Sequence, residues 1–276
     1  MTFASRVRGT VGSECQIRST SPLLQVEGLT KRFGGIVVAD ALSFEIPAGE
    51  CHAIIGPNGA GKTTLISLLA GEIAAREGAI IFDGSNITSL PPHRRSLVGI
   101  ARSFQISSLF SDFSALDNVA LAVQAHRGHS FRFWRIARGD EELRKPALAA
   151  LARVGLADRA HERVGRLSHG EHRQLETAMA LATSPRLLLL DEPMAGMGPE
   201  DSAAILNLLR ELKGALTVVL VEHDMEAVFA LADRVTVMVN GRIIACGEPA
   251  VIRNDPEVRR AYLGEHKSAA ERLRHG

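Results

Sequence analysis

The chain has 276 residues, 46% of them hydrophobic and 23% charged, which indicates a globular protein with one sizeable core and room for a smaller subdomain. Its formal net charge of +1 argues against a broad basic surface for nucleic acid and against an acidic surface for a basic partner. No apolar run approaches the roughly 20 residues that cross a bilayer, so we do not expect the chain itself to form a membrane channel.

The character of the chain changes near residue 22. Residues 1–21 mix Ser, Thr, Gly and Arg without periodicity, and we expect them to form a disordered N-terminal extension. Alternating apolar residues then predict half-buried strands at 23–29 and 41–46. Turns are predicted at Gly34-Gly35 and at Pro47-Ala48-Gly49, so these strands lead into a third apolar run at 53–55.

A glycine-rich stretch follows that apolar run and passes into a helical pattern. It fills every position of G-x-x-x-x-G-K-[ST], with the residues Gly56, Pro57, Asn58, Gly59, Ala60, Gly61, Lys62, Thr63 and Thr64. Its glycines allow successive backbone N–H groups to surround an anion at a helix N-terminus. Lys62 is placed to reach the β- and γ-phosphates, and the Thr63 hydroxyl to complete a Mg²⁺ shell. The pattern predicts a polyphosphate site rather than a chance glycine turn.

The remaining elements alternate between strands and helices. Strands are predicted at 79–82 and 99–104, and helical periods at 116–125, 141–154 and 171–181 form a helical insert. Continuous apolar runs at 187–190 and 217–221 predict strands buried on both faces of a parallel sheet, with a crossover helix at 199–213. Asn240-Gly241 predicts a two-residue hairpin between strands at 234–240 and 242–245.

Polar side chains follow two of the buried strands. Asp191 and Glu192 come after the run at 187–190, and His223 follows the run at 217–221. The carboxyl ends of parallel strands meet at one sheet edge, where ligands bind. We expect Asp191 to orient the Mg²⁺ shell, Glu192 to polarise the water that attacks the γ-phosphate, and His223 to hydrogen bond to that phosphate. Each of these residues alone would suggest only an ordinary loop at the end of a strand. The phosphate loop in the same chain favours the functional interpretation.

Two further segments are weak signals by themselves. Gln105 closes the strand at 99–104 and can reach Mg²⁺ or the attacking water through its amide oxygen. A second segment precedes the helix at 171–181 and is also a plain capping box; it consists of Leu167, Ser168, His169, Gly170 and Glu171.

Together these segments resemble the phosphate loop, Q-loop, signature, Walker B strand and H-loop of an ABC-type nucleotide-binding domain, in that order. The resemblance implies an α/β P-loop NTPase fold with a RecA-like core, an antiparallel β-subdomain and a helical subdomain inserted at about 106–183. The domain would span residues 22–266, followed by a flexible tail at 267–276. ATP and Mg²⁺ are the implied cofactors, with Thr63, Gln105 and Asp191 around the metal and Phe33 stacked on adenine.

The resemblance also implies a head-to-tail dimer. The signature of one copy, residues 167–171, would close over ATP held by the other copy, with Ser168 and Gly170 at a helix N-terminus binding the γ-phosphate. The chain departs from the family pattern at two positions. His169 replaces a glycine of the signature and adds a titratable side chain. Gly198 stands where most of the family has an aspartate, so a non-hydrolysing ATP-gated switch is an alternative, although Glu192 is intact and we expect hydrolysis.

A finer resemblance is to the ATPase subunits of branched-chain, or hydrophobic, amino acid importers of Liv type. The segments that carry it are 101–105, 109–110, 116–119, 195–197, 222–225 and 255–265. The last of these is nearly as similar to the ATPase of lipopolysaccharide export, and the signature is similar to urea-type relatives, so both stay open as alternatives. An alternative of a different class is a non-transport ABC ATPase acting on nucleic acid or ribosomes, which the lack of a basic groove and of a coiled-coil insertion argues against.

Interpretation of the chain as an importer ATPase implies its partners and its location in the cell. The partners are a second ATPase, identical or related, two membrane permeases and, indirectly, an external substrate-binding protein, with no nucleic acid. The location is the cytoplasmic face of the inner or plasma membrane. The apolar residues after the Q-loop glutamine are candidates for receiving a permease helix; they are Ile106, Leu109, Phe110 and Phe113. The alternative is that these residues pack the joint between the core and the helical insert. The insert at 127–139, with Trp134, is expected to be a surface loop.

Overall fold

A computed structural model describes residues 21–103, 109–127 and 140–261 of the chain. The predictions made for residues 1–20, Gln105, Ile106, Trp134 and 267–276 lie outside these ranges. Within them, no helix is both long and apolar enough to cross a membrane.

Strands and helices follow one another along the whole described chain. In chain order they are β1 (Leu24–Phe33), β2 (Ile36–Ile46), β3 (Cys51–Ile55), α1 (Lys62–Ala70), β4 (Glu77–Phe82), β5 (Ser85–Asn86), α2 (Pro92–Leu97), β6 (Ile100–Arg102), α3 (Ala115–Arg127), α4 (Glu141–Arg153), α5 (His169–Leu181), β7 (Leu187–Asp191), α6 (Pro199–Leu212), β8 (Thr217–Val221), α7 (Met225–Leu231), β9 (Arg234–Val239), β10 (Arg242–Gly247) and α8 (Pro249–Asn254). Short 3₁₀ turns lie at Ala157–Arg159 and Val164–Arg166, and residues 256–261 are also helical.

The strands form two separate sheets. One is antiparallel with the order β2-β1-β4-β5, and the other has the order β10-β9-β3-β8-β7-β6. In the second sheet β9, β3, β8, β7 and β6 are parallel, and β10 runs the other way, joined to β9 by the predicted hairpin. The strands predicted at 79–82 and 99–104 therefore belong to different sheets.

The first two strands are longer than the alternation of apolar residues predicts. β1 continues to Phe33 and β2 begins at Ile36, with register shifts inside both. Gly28 and Ala41 adopt positive φ, and a side-chain hydroxyl takes the place of a ladder partner at each of their N–H groups. These bulges interrupt the alternation of apolar residues, which is why the sequence pattern appeared to stop and restart.

The parallel sheet separates two parts of the hydrophobic core. Leu188 and Leu190 of β7 face the helices α3, α4 and α5, whereas Leu187 and Leu189 face α1 and the antiparallel sheet. All residues of β3 and β8 are buried. A strand that is covered on both faces has a continuous run of apolar residues, and such runs predicted the burial of β7 and β8.

Candidate functional site

The glycine-rich loop joins β3 to α1 in the middle of the parallel sheet. Gly61 has a φ of +98°, and a Cβ there would stand 2.3 Å from the carbonyl oxygen of Val38 in β2. A Cβ on Gly56 would lie 2.0 Å from the carbonyl oxygen of Met238 in β9. Only glycine fits at these two contacts. The result is a strand, loop and helix arrangement of the kind that can bind phosphate at a helix N-terminus.

Lys62 is the first residue of α1, and its side chain folds back over the loop. Its Nζ donates hydrogen bonds to the carbonyl oxygens of Gly56 at 2.6 Å and Pro57 at 3.0 Å, and the residue is buried. These contacts hold the ammonium group where a bound polyphosphate would lie. Of the other loop positions, Ala60 is buried, Pro57 and Thr64 are half-buried, and Asn58 and Gly59 are exposed.

Thr63 and Asp191 bring two oxygen donors together at the carboxyl edge of the sheet. The Thr63 Oγ1 lies 3.4 Å from the Asp191 Oδ1. β7 ends at Asp191, between β6 and β8. A hydroxyl and a carboxylate are hard oxygen ligands of the kind that Mg²⁺ prefers, so the donor set fits the expected ion.

Arg102 at the end of β6 also contacts Asp191, a role that the sequence analysis did not assign. Its Nη2 donates to the Asp191 Oδ2 at 3.2 Å, while its Nη1 donates to the Ser67 Oγ at 2.9 Å and to the Glu72 carboxylate. Burial raises the pKa of Asp191, the Arg102 charge opposes that rise, and the neighbouring Glu192 adds to it. The available signal was a charged residue in an otherwise apolar strand next to the strand that carries the carboxylates.

Glu192 and His223 face each other across the ends of β7 and β8. The His223 Nε2 contacts the Glu192 Oε1, and both side chains remain partly exposed. Glu192 has a φ of +52°, a conformation that residues other than glycine seldom adopt. Its N–H donates to the Val221 carbonyl oxygen at 2.8 Å, which holds this turn against β8. A carboxylate and an imidazole therefore meet at a solvent-accessible edge, beside the phosphate loop.

Glu222 binds the backbone next to that pair, a role that was not predicted from the sequence. Its Oε1 accepts a hydrogen bond from the Met194 N–H at 2.9 Å, and its Oε2 accepts one from the His223 N–H at 3.1 Å. Burial raises the pKa of Glu222, and these two N–H groups partly counteract that rise. The side chain thus ties together the backbone after Glu192 and the backbone at His223. An acidic residue at the end of a buried strand was its sequence signal.

The signature segment forms the start of α5. Ser168 caps the helix: its Oγ accepts the Glu171 N–H at 3.2 Å, and its own N–H donates to the Glu171 Oε2 at 2.7 Å. Leu167 is buried. A Cβ on Gly170 would lie 2.2 Å from the Asp201 Oδ2, so the first turn of α5 packs directly on the first turn of α6.

His169 lies at the same junction. A Cβ on Gly196 would be 3.5 Å from the His169 Cε1, which places the imidazole against the turn that follows Glu192. Gly198, the other departure from the family pattern, is the N-cap of α6, two residues after Gly196.

One predicted site residue lies apart from this cluster, and another is outside the described residues. Phe33 ends β1 in the antiparallel sheet and is 48% exposed, with the Lys31 Nζ 5.1 Å from its ring centroid. Its free face is available to a planar ligand. Gln105 lies outside the described residues, and β6, the strand that leads toward it, ends at Arg102.

Comparisons with known proteins point to one family. The profile of the ABC transporter family matches residues 39–195, and the profile of branched-chain amino acid ATP-binding cassette transporters matches residues 242–268. The chain is 36% identical over 251 residues to BraF of Pseudomonas aeruginosa, a high-affinity branched-chain amino acid transport ATP-binding protein, covering 88% of this chain and 98% of BraF. It is 35% identical over 258 residues to LivG of Escherichia coli K12, which carries the same description, covering 89% of this chain and 99% of LivG.

Solved structures agree with the sequence comparisons. MJ1267, an ATP-binding cassette of an ABC transporter, superposes with a TM-score of 0.79 at 31% identity, covering 88% of this chain and 99% of that one. A dimeric post-hydrolysis structure of the cassette MJ0796, bound to ADP and Pi, superposes with a TM-score of 0.71 at 25% identity and covers 82% of this chain.

Proposed function

Because the chain belongs to the ABC transporter family, we propose that it hydrolyses ATP to drive import of branched-chain or other hydrophobic amino acids through membrane permeases. The geometry that supports hydrolysis is the cluster of Lys62, Thr63, Asp191, Glu192 and His223 at one edge of the parallel sheet. The observation that supports the substrate class is the similarity to BraF and LivG over nearly the full length of those proteins.

The phosphates of ATP bind in the loop at 56–61, with the Lys62 ammonium against the β- and γ-phosphates. Thr63 and Asp191 would hold Mg²⁺, and Gln105 is the further ligand that the family resemblance suggests. When bound, the ion would neutralise charge on the phosphate oxygens. Phe33 stacks on the adenine ring.

Glu192 acts as the general base. Its carboxylate accepts the proton of the water that attacks the γ-phosphate, and the His223 imidazole hydrogen bonds to that phosphate. Their mutual contact keeps both groups at the sheet edge before nucleotide arrives. Glu222 is a positioning residue, because it binds backbone on either side of the pair and touches no reacting atom. Since Glu192 is present, we expect hydrolysis although Gly198 stands where most of the family has an aspartate.

ABC cassettes act as dimers together with membrane permeases, and the MJ0796 cassette has been solved as a dimer. In the head-to-tail arrangement proposed here, the first turn of α5 binds the γ-phosphate held by the partner copy. Ser168 and Gly170 supply backbone and hydroxyl groups at that helix N-terminus, where an anion is favoured. His169 adds an imidazole next to the same position.

The permease contact is proposed in a cleft between the parallel sheet and the helices α3 and α5. The cleft has a volume of about 350 Å³, and its walls are mainly apolar, with Leu97 from α2, Ala122 from α3 and Met179 from α5. Phe110 and Phe113, which precede α3 and do not line the cleft, add a second exposed apolar surface to the proposed contact, with ring centroids 5.4 Å apart. A short amphipathic helix from a permease suits such a surface. This docking would hold the chain at the cytoplasmic face of the membrane.

The test is uptake of labelled leucine, with labelled urea alongside, in cells that carry the native chain, Glu192→Gln or Glu200→Gln. Loss of a general base costs roughly 10²- to 10⁴-fold in rate, so we expect Glu192→Gln to abolish leucine uptake. Glu200→Gln is the matched control, since Glu200 is an exposed acid in the first turn of α6, and uptake should be unchanged. Membrane fractions are blotted to check that each variant reaches the membrane.

Two results would change the proposal. Loss of urea uptake alone would identify a urea-type importer with the same ATPase chemistry. Unchanged uptake of both compounds, with Glu192→Gln present at the membrane, would rule out import of these substrates and favour the export-type alternative.

A further inference from the structure

Arg102 forms a continuous set of side-chain contacts from the candidate Mg²⁺ site toward the surface. Its Nη2 donates to the Asp191 Oδ2 at 3.2 Å, and its Nη1 donates to the Ser67 Oγ at 2.9 Å and to the Glu72 carboxylate. The Asp191 side chain is 7% exposed and that of Arg102 is 10% exposed, whereas that of Glu72 is 44% exposed. One guanidinium therefore joins a buried carboxylate to a solvent-exposed one.

The exposed end of these contacts lies in the proposed permease cleft. Arg102 and Glu72 both line that cleft, together with residues of α2, α3 and α5. Ser67 belongs to α1, the helix that starts at Lys62, and Glu72 lies just beyond the end of that helix. The same guanidinium thus touches the nucleotide side and the cleft side of the core.

The two oxygens of Asp191 face different partners. Oδ1 faces Thr63, where Mg²⁺ is expected, and Oδ2 faces Arg102. A divalent cation next to Asp191 repels the guanidinium and competes with it for the carboxylate charge, and both effects are strong in a partly buried site. The contact with Glu72 lies on the other side of the guanidinium and is not opposed in this way. Arrival of Mg·ATP therefore favours the Glu72 end of the bridge over the Asp191 end.

We propose, building on the function above, that Arg102 is a positioning residue that couples Mg·ATP binding at Asp191 to the shape of the permease cleft through Glu72. The coupling is reciprocal: a permease helix that engages Glu72 changes the affinity for Mg·ATP by the same factor by which nucleotide changes the affinity for that helix. An arginine suits this position because its planar fork can serve two carboxylates and a hydroxyl together, which one ammonium group cannot do.

The experiment uses the full chain and measures hydrogen–deuterium exchange with a non-hydrolysable ATP analogue, in Mg²⁺ or in EDTA. In the native chain, Mg²⁺ should change exchange in the cleft walls, namely residues 70–75 and α2. Arg102→Gln and Glu72→Gln should both lose that change, and Arg102→Lys should keep only part of it. Arg186→Gln is the matched control: Arg186 forms an exposed ion pair with Asp83 near the opposite end of β7, and the variant should behave like the native chain.

A second readout separates coupling from mere loss of structure. A fluorescent ATP analogue is titrated with Mg²⁺, and Arg102→Gln should reach half-saturation at about fivefold lower Mg²⁺, because a competing charged hydrogen bond to Asp191 has gone. A damaged site would need more Mg²⁺, not less. Glu72→Gln keeps the contact between Arg102 and Asp191 and should shift the half-saturating Mg²⁺ concentration less than twofold. Because Glu72 is half-exposed, this substitution should not unfold the chain.

The outcomes are distinguishable. Persistence of the Mg²⁺-dependent change in both Arg102→Gln and Glu72→Gln overturns the inference and leaves the proposed function intact. Absence of that change in a native chain that binds nucleotide also overturns it. A native chain that binds no ATP analogue refutes the proposed function, and the inference that rests on it falls as well.

Discussion

Glu176 shows how a single buried side chain can make the stability of this domain depend on pH. It lies in α5, is almost completely buried, and its Oε2 accepts a hydrogen bond from the Arg173 Nη1 at 3.2 Å. Among the described residues, neither its Oε1 nor the Arg173 Nε has a hydrogen-bond partner. Burial raises the pKa of Glu176 to about 7, and Arg173 offsets only part of that effect. The folded state therefore favours the protonated carboxyl group.

This shift predicts a pH-dependent effect of Glu176→Gln. The folded pKa lies above the unfolded value of 4.5, so the native chain is favoured by protonation at low pH and loses that stability as pH rises through about 7. Glutamine does not titrate. The stability of the variant relative to the native chain should rise between pH 5 and pH 8 by up to about 3 kcal/mol, since one pKa unit corresponds to about 1.4 kcal/mol.

Urea unfolding of both proteins at several pH values measures this difference. The exposed Glu200→Gln serves as control and should parallel the native chain throughout. If the curves for Glu176→Gln and the native chain ran parallel from pH 5 to pH 8, Glu176 would not be the titrating group.

The helix α4 contains a proline within an otherwise regular element. Pro146 has no N–H for the carbonyl oxygen of Glu142, four residues earlier, and that oxygen instead accepts a hydrogen bond from the Arg127 Nη1 at 3.1 Å. Arg127 is the last residue of α3. The arginine thus compensates for the missing helical hydrogen bond and connects the two helices on either side of residues 128–139.

Pro146→Ala should stabilise the domain. A proline in a helix interior costs about 3 kcal/mol relative to alanine, and compensation by Arg127 should reduce the gain to about 1–2 kcal/mol. Arg127→Met should lower the free energy of unfolding of the native chain by about 1 kcal/mol. In the Pro146→Ala background the cost should be clearly smaller, because the N–H of Ala at position 146 can donate to the Glu142 carbonyl oxygen. Thermal unfolding of the two single variants and the double variant measures this coupling. Equal costs of Arg127→Met in both backgrounds would contradict it.

At the level of the whole molecule, the main question is which surface meets the permease. Phe110 is 57% exposed and is held ahead of α3 by Asn118, whose side chain binds both the Phe110 N–H and its carbonyl oxygen. An aromatic side chain held in an exposed position is typical of an interaction surface.

Phe110→Asp should release the chain from membranes and leave its soluble ATPase activity within about twofold of the native value, since surface substitutions seldom disturb a fold. Leu148→Asp is the matched control, because Leu148 is also an exposed apolar residue and lies on α4. Flotation of membrane vesicles that contain the permeases, together with ATP turnover in solution, measures both properties. Joint loss of membrane binding and activity would instead indicate that Phe110 packs the joint between core and helices.

Local signals in the sequence were enough for most of the secondary structure. Helical period and capping residues placed α3, α4, α5 and α6 within about two residues of their observed ends. The strand, loop and helix around Lys62 follow from glycine chemistry, and the α/β fold class is confirmed by the solved cassettes. The sequence also correctly placed Asp191, Glu192 and His223 at one sheet edge, because parallel strands share a direction.

The tertiary structure determined which residues far apart in the sequence are in contact. The Arg102–Asp191 ion pair joins residues 89 positions apart, and the contact of Arg102 with Ser67 spans 35. The first contact depends on the sheet order that places β6 beside β7, and the second on α1 packing against β6. The position of Glu222 beside the backbone of Met194 and His223 depends on β8 lying on the other side of β7. The amino-acid sequence by itself determined the local elements and the types of side chain at the candidate site, because period, caps and glycine turns act over a few residues. Strand order and packing determined which charges meet and where the cleft opens, because those contacts form only after distant segments are brought together.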